Sequence, residues 1–247
     1  SKPFRIKVRN ILNDNFVYFY VKKTDASRIY GLELEHMLSP YNLHFLVYKD
    51  TLIEEHIPGI PGDVFIKEML PTCTESEKSQ LAKEFVKFNE RCLIRLLGDM
   101  RSYNYVIVPV HDFDHVVYRI RAIDFDQQFY EGKLAIYRPQ FFKENRIMVE
   151  LVRKKLLKGS VDQYKVEERS IVAKRILSSG DRLRKLVEIA RRAPDTWMGR
   201  GEEFLKRWTR ATPRDPEPFT KLAALYREAG DRRLAARYAS QAVELAP

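Results

Sequence analysis

The chain has 247 residues, 45% hydrophobic and 12% aromatic, with 44 lysines and arginines against 34 acidic residues, a formal charge of +10. These proportions exclude a disordered chain and allow one large domain or two smaller ones. The positive balance favours an anionic partner, without choosing among nucleotide, nucleic acid or an acidic surface. Two cysteines, Cys73 and Cys92, lack the Cys-x-x-Cys spacing, which argues against a disulfide scaffold or a zinc ribbon and favours a reducing compartment. No apolar run approaches the roughly 18 residues of a bilayer span, and no signal peptide opens the sequence. The expectation is a soluble, cytoplasmic protein with no membrane partner.

The first predicted elements are two strands, "FRIKVRNIL" and "NFVYFYVKK", joined at Asn13-Asp14-Asn15 as a hairpin. "ASRIYGLELEHML" reads as a helix ended by Pro40. "LHFLVY" and "TLIEEHI" are strand-like, and "PGIPGD" breaks the pattern. A long helix follows in "TESEKSQLAKEFVKFNERCLIRLL". Thr74 and Glu77 are spaced as a capping box, and Leu81, Phe85, Phe88 and Cys92 share one face. Two further strands, "YVIVPV" and "VVYRIRAIDFD", flank the polar tip "HDFDH", which has metal-ligand residue types but reads as a solvated turn. From Pro139 onward the pattern is helical. At "SSGD", Gly180 is suited to a left-handed helix cap and Asp181 to starting the next helix; a domain boundary is placed there. The order is α+β: a small sheet with one helix, a long helix, a hairpin, then helices.

Between the long helix and the second hairpin lies "GDMRSYN", which sets Asp99, Arg101 and Asn104 within a few residues, and "RAIDFD" supplies Asp124 downstream. Taken with the element order, these residues resemble the protein-kinase-like superfamily, in particular its aminoglycoside-phosphotransferase-like branch. In that family a loop of the form Gly-Asp-Leu-x-x-x-Asn follows a long helix and precedes a hairpin ending in Asp. "YVKKTDASRIYGLELEHML" resembles the family's lysine strand and small-lobe helix, and "TLIEEHIPG" resembles the strand and hinge that hold adenine.

The resemblance implies a two-lobed fold, with a reduced small lobe at 1–58 and a large lobe at 59–180, and ATP with Mg²⁺ as cofactors. It implies that Asp99 orients the acceptor hydroxyl and takes its proton, and that Arg101 lies against the γ-phosphate. Asn104 and Asp124 would hold the metal through hard oxygen ligands. Lys22, rather than its neighbour Lys23, would reach the α- and β-phosphates. Glu35 is favoured over Glu33 to steady that lysine, since the two point about 200° apart on a helix. Backbone groups around Glu55 and Ile57 would pair with adenine. The sequence given carries no glycine-rich phosphate loop, Gly31 being its first glycine, which supports a rival reading as a catalytically degenerate scaffold.

Residues 181–247 are rich in Ala and Arg. "PFTKLAALYREAGDRRLAARYASQAVELAP" resembles a tetratricopeptide repeat through Phe219, Leu222, Tyr226, Gly230, Ala235, Ala242 and Pro247. Pro213 lies 34 residues before Pro247, so "RLRKLVEIARRAPDTWMGRGEEFLKRWTRATP" reads as a degenerate first repeat in which Gly201 and Trp208 replace two alanines. The resemblance implies a helical module on which a protein partner docks. No nucleic-acid module is evident. The basic tail disfavours a polycationic aminoglycoside as acceptor and favours an anionic small molecule or a docked protein.

Overall fold

The computed structural model describes residues 3–112, 115–130, 132–192, 213–214, 216–228 and 231–245. The chain divides into two compact units, Ser1–Ile189 and Ala190–Pro247. It is a mixed α+β protein with small sheets and a helical C-terminal region.

Strands β1 (Phe4–Arg9) and β2 (Phe16–Lys23) form the expected antiparallel hairpin, in register from Phe4↔Val21 to Arg9↔Phe16. Asp14 takes the left-handed conformation at φ 57°, which a short polar side chain tolerates; its carboxylate also pairs with Arg9 at 2.7 Å. Only Thr24 and Asp25 separate β2 from helix α1 (Ala26–Leu38), and the Asp25 side chain caps that helix by accepting from the Arg28 N–H at 3.0 Å. Strands β3 (Phe45–Tyr48) and β4 (Thr51–Glu55) complete a four-stranded sheet in the order β1-β2-β4-β3. One face carries Lys22, Leu52 and Glu54 inward. The other carries the cross-strand row Leu46, Ile53, Val21 and Phe4, of which Phe4 and Leu46 are exposed.

"PGIPGD" is more than a breaker. Ile60–Pro61 forms a short strand, β5, against Ile107 and Val106, and helical turns occupy residues 62–72. Gly62 makes this possible: a side chain there would collide with the Tyr105 ring and the Ser102 carbonyl. Helix α2 (Glu75–Arg95) begins at the predicted capping box. Glu77 N–H donates to Thr74 Oγ1 at 3.2 Å, and Thr74 N–H donates to Glu77 Oε2 at 2.7 Å. Its predicted apolar face, Leu81, Phe85, Phe88 and Cys92, is fully buried. Strands β6 (Tyr105–Asp112) and β7 (His115–Ala122) pair antiparallel; the centre of the "HDFDH" tip lies outside the described residues.

Helices α3 (Arg146–Lys155), α4 (Lys158–Ser178) and α5 (Gly180–Arg192) follow. α2 and α4 are joined by an internal ion cluster: Arg91 donates to Glu84 at 2.7 Å, to Glu168 at 3.2 Å and to the Ile120 carbonyl at 3.2 Å, with all three side chains buried. The helix break at "SSGD" is present, but Gly180 is not a left-handed cap. Ser179 is the junction, at φ −108° and ψ 16°, and Gly180 already belongs to α5.

The second unit contains helices α6 (Pro216–Glu228) and α7 (Arg232–Leu245). Leu222, Tyr226 and Ala235 form its core, with Tyr226 stacked on Tyr238 at 5.5 Å. Gly201, Trp208, Gly230 and Pro247 lie outside the described residues. No helix among the described residues is long and apolar enough to cross a membrane.

Candidate functional site

The loop that carries the proposed chemistry is built by two left-handed residues. Leu96, at φ 56°, ends α2, and Asp99, at φ 55°, turns the chain again. Aspartate tolerates that region, whereas a leucine occupies it only when its surroundings hold it there. Here the restraints are explicit. Gly98 N–H donates to the Gln127 carbonyl at 3.0 Å, and Arg101 N–H to the Asp99 carbonyl at 2.8 Å. Asn145, fully buried, donates to the Met100 carbonyl at 2.9 Å, and Gln128 donates to the Leu96 carbonyl at 3.1 Å.

Within the loop, Asn104 Nδ2 donates to the Asp99 carbonyl at 2.7 Å and to Asp99 Oδ2 at 3.3 Å. The Asn104 carbonyl accepts from Ile123 N–H at 3.1 Å, which places Asn104 beside the start of the Asp124 segment. With its amide nitrogen committed to Asp99, Asn104 has Oδ1 left for a cation. Arg101 is clamped: Nε donates to Asp99 Oδ1 at 2.7 Å, Nη1 to Glu144 Oε1 at 3.0 Å, and the guanidinium lies over the Phe142 ring at 5.1 Å. The hydrogen bond to Asp99 raises the Arg101 pKa further, so the group stays cationic at any working pH. Glu144 is held below the usual carboxylate range by its own backbone N–H and by Arg101.

A second set of charges meets Asp124. Arg28, in the first turn of α1, donates to Asp124 Oδ1 at 2.8 Å, pairs with Asp126, and lies 3.8 Å from Glu54 Oε2. Burial opposes its charge, but Asp126, Asp124 and Glu54 together outweigh it and raise its pKa. α1 is fixed on this segment at two further points. Ser27 Oγ donates to the carbonyls of Asp126, at 3.0 Å, and Gln128, at 2.7 Å. Gly31 packs so close to Phe125 that a side chain there would collide with it.

Lys22 pairs with Glu54 of β4, both nearly buried, whereas Lys23 is exposed and reaches only Asp50, at 3.6 Å. Of the two lysines, Lys22 therefore faces the site. The expectation for Glu35 needs correction. It is buried against Arg95 at the end of α2, and Glu33 pairs with Arg182; neither reaches Lys22. The cause is the two-residue connection after β2, which sets the start of α1, not its middle, beside Lys22. Glu35 lies two turns beyond Arg28, roughly 10 Å along the axis. Glu54 is the acid that pairs with Lys22, and Arg28 was not anticipated at all.

Lys22, Tyr20, Glu54, Ile57, Val106, Ile123 and neighbouring residues enclose a mainly apolar cleft of about 290 Å³. Glu55 and Ile57 are both among its lining residues. The Glu55 amide already donates to the His44 carbonyl at 2.9 Å, and its carboxylate accepts from His44 Nδ1 at 2.6 Å, so that amide is closed to a base. No group of three or more His, Cys, Asp or Glu side chains among the described residues could hold a metal by itself. Asn104 Oδ1 and Asp124 are two hard oxygen donors, a set that suits Mg²⁺ arriving with phosphate oxygens of its own. No family model, curated protein or solved structure matches this chain.

Proposed function

We propose that the chain is an ATP- and Mg²⁺-dependent phosphotransferase that transfers the γ-phosphate to a hydroxyl of an acceptor. On this reading the four-stranded sheet with α1 is a small lobe and the segment after it, to about residue 180, is a large one. The observation that carries the reading is the joining of Asp99 to Asn104 by direct hydrogen bonds, with Asn104 tied to the strand end that bears Asp124. Phosphoryl transfer asks for little beyond positioned groups and neutralised charge. Asp99, its side chain one-third exposed, would orient a hydroxyl and receive its proton. Arg101 Nη2, the part of the guanidinium given neither to Asp99 nor to Glu144, is available to a phosphate oxygen. Lys22 would exchange Glu54 for the nucleotide phosphates. Mg²⁺, held by Asn104 and Asp124, would neutralise phosphate charge.

A second reading, a catalytically degenerate scaffold acting through a tetratricopeptide-like tail, is favoured by one specific observation. Protein side chains already engage both Lys22 and Asp124, through Glu54 and Arg28. Thermal stabilisation by ATP with Mg²⁺ separates the two; a ligand at a hundred times its dissociation constant adds about 2.7 kcal/mol. The phosphotransferase reading expects that stabilisation, and ATP turnover, in the parent and their loss in Asp124→Ala and Asn104→Ala. It expects a larger loss in Lys22→Ala than in Lys23→Ala. Equal Mg·ATP affinity and turnover in the parent and the single variants would sink the site assignment, and a parent with neither stabilisation nor turnover would leave only the scaffold.

A further inference from the structure

The four-stranded sheet turns one face, with Lys22 and Glu54, to the cleft and the other to solvent. On the solvent face, Leu46, Ile53, Val21 and Phe4 form one cross-strand row, Phe19 and Ile6 the next, and Val17 and Val8 the last. All eight are apolar. Phe4, Ile6, Val8, Val17 and Leu46 are 37% to 74% exposed, and the other three are half-buried. An antiparallel sheet ordinarily gives its solvent face to polar residues, and a contiguous apolar patch there marks an interaction surface. The charged residues of this face, Lys23 and Glu55, end their strands and are engaged, with Asp50 at 3.6 Å and His44 at 2.6 Å. The cations of β1 lie on the opposite side. The Arg5 guanidinium is 4.3 Å from the centre of the Tyr18 ring, and the Lys7 ammonium 3.7 Å from that of Phe16.

We propose that this face is the interface of a homodimer, in which two copies pack sheet on sheet about a twofold axis. Such an interface sets the same patch against itself, so the patch must be its own complement. An uncharged apolar face meets that demand. It also gives two chains of formal charge +10 a place to meet without opposing like charges, since Arg5 and Lys7 point away from it on both copies. Stacked sheets settle about 10 Å apart with their side chains interdigitated. The eight side chains present roughly 500 Å² per copy and roughly 1,000 Å² across two, the size from which an interface is specific. A lipid surface is the poorer match, because the cations that would reach anionic headgroups are on the wrong side of the sheet. The cleft lies on that other side too and is left open.

The test is sedimentation velocity of the full chain over a range of concentrations. The expected result is a dimer whose fraction rises with concentration and passes one-half below about 100 μM, as suits an interface at the small limit. Leu46→Lys and Phe4→Lys each put a charge on the face, twice per dimer, at positions exposed enough for the folded monomer to tolerate. Each should raise the dissociation constant at least about thirtyfold. Lys7→Gln, on the opposite side, should leave it within about threefold. Far-UV circular dichroism checks folding; should one lysine variant not fold, the other carries the test. A parent that is monomeric up to about 100 μM overturns the inference. So does a dimer that the lysine variants leave intact, or one that Lys7→Gln weakens as much as they do. Cosedimentation of a monomeric parent with phosphatidylcholine vesicles overturns it as well, and gives the face to a lipid surface.

Discussion

Replacing Arg28 by methionine removes one guanidinium from among three carboxylates while keeping most of its volume. Arg28 and Glu54 have side chains 9% exposed, whereas Asp124 and Asp126 are 35% and 49% exposed. Stranding one half of a fully buried ion pair costs about 3–5 kcal/mol. Two of the three acids here keep contact with water, which reduces the expected loss to about 2–3 kcal/mol. For a unit of this size that lowers the melting temperature by about 5–10 °C, read by far-UV circular dichroism. The variant should also respond differently to ligand. Arg28 holds Asp124 Oδ1, so its removal frees an oxygen that the phosphotransferase reading gives to the metal, and on that reading Mg²⁺ with ATP should recover more stability in Arg28→Met than in the parent. Stability and metal response thus move in opposite directions. A variant within about 1 kcal/mol of the parent, which is an ordinary surface effect, or one no more responsive to Mg·ATP, would refute the reasoning.

Asp99→Asn should fold normally and lose at least about a hundredfold in turnover, the usual contribution of a positioned base, in a labelled-ATP transfer assay. Thr74→Ala removes half of the capping box and should cost about 0.5–2 kcal/mol in urea unfolding. Burial, with Glu84 adding to it and Arg91 and Arg119 opposing, pushes the Tyr41 phenol from 10.0 up to about 12. A folded-state pKa above the unfolded one gives stability that is complete below pH 10 and is lost as pH rises towards 12; Tyr41→Phe should flatten that loss in urea titrations across the range. Leu222, fully buried in the second unit, should cost about 2–5 kcal/mol when cut to alanine, and hydrogen exchange should report lost protection across α6 and α7.

What was legible in the sequence was what is settled locally. The capping box at Thr74 and Glu77 needs only a three-residue spacing, and the buried face of α2 only a helical period. The hairpins follow from alternation and turn chemistry. The loop from Gly98 to Asn104 stood out because its polar residues interrupt two apolar runs. The partners of Asp124 and Lys22 did not stand out, because they depend on contacts across the sheet and between distant segments. Arg28 is 96 residues from Asp124 and reads as an ordinary helix-start arginine. Glu54 reads as one of two adjacent strand acids, and only the β2–β4 register, with Lys22 opposite Leu52 and Tyr20 opposite Glu54, turns it inward. Glu35 was misassigned because the length of the connection before α1 was not converted into the helix turn that faces the sheet.

The first strand has a consequence for how the protein behaves at high concentration. Among the described residues β1 is the edge of its sheet, and all six of its residues are exposed. An exposed edge is a template on which another strand can add, and apolar residues such as Phe4, Ile6 and Val8 would make the addition sticky. Arg5, Lys7 and Arg9 alternate with them. Two copies meeting edge to edge would have to bring six cations into one short ladder, and like charges facing each other across strands repel. The cations thus act as a guard against sheet growth between molecules. Exchanging Lys7 for valine would remove the middle of that guard and set a run of apolar side chains on an open edge, the pattern from which ordered aggregates start.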